Sequence, residues 1–129
     1  MRKANLVSQL YSAAEHLRPL AQSVVTSFAT SDSTQCVKPG HRVPDPRALV
    51  WFVRLTTMAG LIEAQDSPLS TRQIAYFKTE LFGGMGSLTD LWFDPKSLGD
   101  VALDVNEQLK KEADALFTIL SGDVGRHGR

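Results

Sequence analysis

The sequence predicts an all-α fold, a small bundle of four to five helices with a buried central helix. Apolar residues recur at spacings of three and four along most of the chain, and no stretch alternates apolar and polar residues as a half-buried strand would. Helix-start signals stand before the apolar runs: Asp45-Pro46, Ser70-Thr71-Arg72-Gln73, and Asp104 with Glu107 three residues later. With 129 residues, 43% of them hydrophobic, the chain is long enough to bury one core without metal or disulfide staples. The expected organisation is one helical domain over 1–121 and a disordered tail over 122–129, where nothing apolar is available to bury.

The first element spans about 4–30. Leu6, Leu10, Ala13, Leu17, Leu20, Val24 and Phe28 fall on one helical face. Pro19 interrupts this stripe, and either a kinked helix or two helices would satisfy it. The stripe keeps its phase across Pro19, which favours a nearly continuous element. Residues 31–46 hold three prolines and little periodicity, and read as a long loop.

The second element starts cleanly, with Asp45 as N-cap and Pro46 at the first helical position. From Leu49 to Ile62 apolar residues occupy nearly every side. A helix apolar all round is a buried one, so 46–64 is expected at the centre, with Arg47, Arg54 and Glu63 on a narrow wet strip. The third element follows the Ser70/Gln73 capping box, carries Ile74, Phe77 and Leu81, and stops at Gly83-Gly84. Residues 88–95 read as an extended or turn segment with two large aromatics, Trp92 and Phe93. The last helix carries Val105, Leu109, Ala113, Leu116, Phe117 and Leu120 on one face and a Glu107–Lys111 pair on the other. Its start lies anywhere from Pro95 to Asp104.

Charge and composition exclude several function classes. The 14 Lys and Arg balance the 14 Asp and Glu, so no basic surplus favours nucleic acid or anionic lipid. The single cysteine, Cys36, permits neither an intrachain disulfide nor a thiolate zinc cluster. His16, His41 and His127 fall on separate segments without a helical ligand spacing, so no metal and no cofactor are expected. Ser8, Gln9, Ser12, Glu15 and His16 interrupt any apolar run after the amino-terminal basic residues, and a cytoplasmic protein without a secretory signal is expected.

The most distinctive stretch is Phe82-Gly83-Gly84-Met85-Gly86-Ser87-Leu88-Thr89-Asp90-Leu91. Three glycines in four positions mean unusual backbone angles or close approach. A nest of amides holding a carboxylate or phosphate would use Gly83, Gly84, Gly86, Ser87 and Asp90. A purely structural turn would cap the third helix and push Met85 into the core. Neither a Walker A loop nor a dinucleotide fingerprint is present. Trp92 is either a plug for the end of the bundle or an anchor for a partner.

Together with Asn106-Glu107 some 15 residues later, this run resembles a family of small bacterial helical proteins with an aromatic-Gly-Gly-Met-Gly-Ser-x-x-Asp-Leu signature, often found beside toxin genes. The likeness covers roughly 70–120. Thr89 stands where the pattern has Asn, and Trp92-Phe93-Asp94-Pro95 replaces a shorter aliphatic stretch. The resemblance implies a compact helical domain and favours a protein-binding role such as immunity. The expected function is therefore a non-enzymatic protein-binding module that occludes a partner toxin or effector, without nucleic acid or membrane. The alternative is a small-molecule or anion-binding protein using the Gly83–Ser87 loop.

Overall fold

In the computed structural model the described residues are 3–30 and 45–127, with side chains described for 3–27 and 45–121. They form five helices and no strand: α1 (Lys3–Thr30), α2 (Pro46–Ala64), α3 (Thr71–Phe82), the short α4 (Pro95–Leu98) and α5 (Asp100–His127). A single 3-10 turn, Leu88–Asp90, lies between α3 and α4. The fold is a small all-α bundle. The loop expected over 31–46 lies outside the described residues up to position 44.

Pro19 sits inside one helix, not between two. The α1 stripe is buried from Leu6 to Val24, and a second row, Val7, Ala14 and Ala21, is buried beside it. Two adjacent buried rows let α1 pack along α2 and against α5 at once. This corrects the expected centre, because α1 and not α2 has the widest buried face. On α2 the core stripe is Ala48, Trp51, Leu55, Met58, Ala59 and Ile62. Val50, Val53 and Leu61 are exposed on its other side, so its all-round apolar character does not mean all-round burial.

The caps follow their sequence signals. Asp45 accepts the Arg47 amide at 3.0 Å, and Pro46 opens α2. At α3 both bonds of the capping box form, Gln73 N–H to Ser70 Oγ at 3.1 Å and Ser70 N–H to Gln73 Oε1 at 2.9 Å. The Gln73 amide also pairs with Gln65, and Lys3 donates to the carbonyls of Gln65 and Ser67, which pins the α2–α3 connection to α1. Asp104 does not cap α5. Gly99, at φ 83°, breaks the chain five residues earlier, and Asp94 with Pro95 opens α4 before it. The helical backbone of α5 runs to His127, beyond the expected domain end at 121.

The α5 stripe of Ala102, Val105, Leu109, Ala113, Leu116 and Leu120 is buried, and Glu107 and Lys111 pair at 3.7 Å. Phe117 departs from this face. It is half exposed, edge-on to Phe82 with Lys78 over its ring. Between α1 and α5, Glu112 accepts from Gln9 and Ser12, with His16 Nε2 at 3.4 Å. The carboxylate here stands between the hydroxyl and the imidazole. A nucleophilic triad needs the imidazole in that middle place.

Candidate functional site

The segment from Gly83 to Asp94 closes one end of the bundle, and each glycine in it answers a local demand. The Gly83 N–H donates to the Thr79 carbonyl at 2.8 Å, and a Cβ at this position would run into that same carbonyl. Gly84 and Gly86 have φ of 122° and 82°, the region that L side chains avoid. The left-handed residues therefore lie beyond the helix stop, while Gly83 itself is needed for clearance.

Asp90 then ties the turn. Its Oδ2 accepts the Gly86 N–H at 3.1 Å, while its own N–H donates to the Ser87 carbonyl at 3.1 Å. The Ser87 hydroxyl is buried and shares a hydrogen bond with Thr89 Oγ1 at 3.0 Å. Leu88 fills the space beneath. An amide nest for an outside anion would need the Gly86 N–H, and here the chain's own carboxylate already holds it. That carboxylate would also repel a second anion.

Two polar side chains from distant helices fix the extended stretch that follows. Asn106 of α5 bonds both backbone groups of Phe93, accepting its N–H and donating to its carbonyl, each at 2.8 Å. The amide side chain behaves as a one-residue strand partner. Arg47 of α2 donates to the Trp92 carbonyl at 2.7 Å, forks onto Asp45, and lies 5.7 Å from the Phe93 ring centroid. This pairing holds the Asp45 carboxyl below its usual range and raises Arg47. Clamped from both sides, Phe93 is completely buried.

Phe93 is thus the plug, and Trp92 is not. Trp92 is 57% exposed and Met85 97% exposed, which corrects both the plug reading of Trp92 and the expected burial of Met85. A cleft of about 420 Å³ runs beside Trp92, lined also by Asp90, Leu91, Leu109, Lys110 and Asp114. A smaller one, about 180 Å³, lies between Gly86, Ser87 and Asp90 on one side and Val50 and Arg54 of α2 on the other.

Of the six sequence candidates, Asp90 lines both clefts, Gly86 and Ser87 only the smaller, and Trp92 only the larger. Gly83 and Gly84 line neither of these two and act through the backbone. Sequence reasoning missed Arg47 and Asn106 as the residues that hold the segment. The signal for Asn106 was its place beside Val105 and Leu109, a polar amide at the edge of an apolar stripe. Among the described residues no three His, Cys, Asp or Glu side chains gather as a metal site would require, and no helix is long and apolar enough to cross a membrane.

Compared with known proteins, the chain matches no family model, no curated protein and no solved structure.

Proposed function

We propose that the protein is a non-enzymatic protein-binding module, an immunity-type protein that occludes a partner toxin or effector in the cytoplasm. The observation that carries this reading is the display of Met85 and Trp92. Large apolar side chains cost little when buried by the chain itself, yet these two stand in solvent. They do so on a segment whose backbone is fixed by Asp90, Arg47 and Asn106. Holding an anchor in place beforehand removes ordering entropy from the binding step, and exposed aromatic anchors beside a cleft are where binding energy concentrates. Masking by this end of the bundle would be steric, with Trp92 at the centre of the covered patch. The resemblance of Phe82–Leu91 to proteins found beside toxin genes supports the immunity role.

The test is affinity capture of the tagged wild-type chain and its Trp92→Ala variant from the cell that makes it. One dominant protein at near-stoichiometric yield with the wild type, lost with the variant, is the expected result. Equal capture by both, or no captured protein while a dissolved metabolite raises the melting temperature, overturns the proposal.

A further inference from the structure

We propose that a groove between α2 and α3 is a binding site for a small amphipathic acid, with the carboxylate on Arg72 and the apolar body between Leu61, Leu69 and Tyr76. The groove has a volume of about 460 Å³, within the range of small-molecule sites, about 300–1,000 Å³. Buried Ile62 and Phe77 form its floor, and Leu61 and Tyr76, 64% and 58% exposed, stand at its rims. Apart from Gln65, Gln73 and the hydroxyl of Tyr76, only Arg72 brings a polar side-chain group to this lining.

The chain itself fixes the shape of the groove. Its two glutamines bond each other, with Gln73 Nε2 donating to Gln65 Oε1 at 2.6 Å. The Gln65 amide also donates to the carbonyls of Ser67 and Pro68, and Gln73 closes the Ser70 cap. Both side chains are thus committed to the α2–α3 connection. A peptide laid in the groove would need donors and acceptors for its own backbone, and the glutamines are already engaged. A ligand with one polar end and an apolar body makes no such demand.

Charge selects the polar end. Arg72 is the one charged side chain in the lining, and it has no ion pair among the described residues. It lies one turn before Tyr76, on the same face of α3. Glu63 does not compete for it, because the Glu63 carboxylate accepts the hydroxyl of Tyr11 on α1 at 2.8 Å. A permanent cation beside apolar walls favours a single anionic group on an apolar body. A guanidinium takes a carboxylate through two parallel hydrogen bonds. The groove lies at the carboxyl end of α2, whereas Arg47, which holds the Trp92 segment, stands at its amino end. The site uses neither Met85 nor Trp92, so it is independent of the proposed masking role.

Decanoate, kept below its micelle concentration, is the probe, with decyltrimethylammonium as the matching cation. Methyl and aromatic NMR spectra of the full chain follow both titrations. The expected result is saturable decanoate binding with shifts centred on Leu61, Leu69 and Tyr76, about tenfold tighter than the cation, as one charge-assisted contact would give. Arg72→Glu should reverse that preference, whereas Lys96→Glu on α4, the same change in net charge, should keep it. Leu61→Glu, at an exposed position, should abolish decanoate binding with the helical circular dichroism unchanged. No saturable binding, equal affinity for the two probes, shifts centred on the cleft beside Trp92, or a preference that Arg72→Glu and Lys96→Glu alter alike overturns it.

Discussion

Replacing Asn106 probes the clamp on the Trp92 segment directly. Asn106→Ala leaves two backbone groups of Phe93 without their partner, a donor and an acceptor now bonded at 2.8 Å each. Both bonds are partly buried, so each orphaned group costs the lower part of the usual range, about 1–2 kcal/mol, or about 2–4 kcal/mol together. For a chain of this length each kcal/mol moves the melting temperature by roughly 4 °C, which gives a drop of roughly 8–16 °C. Asn106→Asp separates the two bonds. Its carboxylate can still accept the Phe93 N–H but faces the Phe93 carbonyl without a proton to donate. The folded state therefore favours the protonated form and raises the pKa of the new carboxyl. A raised folded pKa gives stability that is present at low pH and lost as pH rises through that value. The penalty of Asn106→Asp relative to wild type should be small in acid and grow toward neutrality, while that of Asn106→Ala should stay level. Thermal melts followed by circular dichroism across that pH range read both. Asn106→Ala melting within about 0.5 kcal/mol of wild type, the scatter of ordinary surface substitutions, would refute the clamp. So would equal pH profiles for the two variants.

The glycines and the α2 cap give further expectations. Gly83→Ala should cost the most of the loop substitutions because its Cβ strikes the Thr79 backbone. Gly84→Ala and Gly86→Ala meet open space and pay only for positive φ, about 1–3 kcal/mol each; denaturant melts that rank Gly83→Ala as the mildest would contradict this. Asp45 carries a carboxyl held low by hydrogen bonds from Arg47. Its contribution is complete above the unfolded carboxyl's pKa and is lost as pH falls through the lower folded value. Asp45→Asn keeps a capping acceptor and should flatten the acid limb of the stability curve, whereas Asp45→Ala should also lose about 1 kcal/mol at neutral pH. An unchanged acid limb in Asp45→Asn would remove Asp45 from this role.

Local chemistry was legible in the sequence wherever one residue decides a conformation. Asp45-Pro46 and the Ser70/Gln73 box are short-range devices, and both form as their spacing requires. The unbroken phase of the α1 stripe carried the helix through Pro19. What depends on distant elements was not legible. Gly99 rather than Asp104 divides the last helices, because a left-handed break outweighs a capping pair placed inside an apolar stripe. Trp92 and Phe93 are adjacent and both are large aromatics. Only Asn106, thirteen residues on, and Arg47, forty-five residues back, determine which of them points inward.

The α2 helix shows the same ambiguity on a larger scale. A segment apolar on every side has two physical explanations: the chain surrounds it, or the chain buries one side and leaves the other for a different molecule. Hydrophobic pattern is identical in both cases, and so is the expected helix. The two differ at positions where packing inside the chain has nothing to gain. Trp51, Leu55 and Ile62 are explained by their own core. Gly60 is not, since alanine would fit its open surroundings and strengthen the helix. Gly60 weakens its own element without relieving any contact among the described residues, and it lies with Val53, Thr57 and Ala64 on the side of α2 away from the core stripe, where an apolar pattern says nothing about burial.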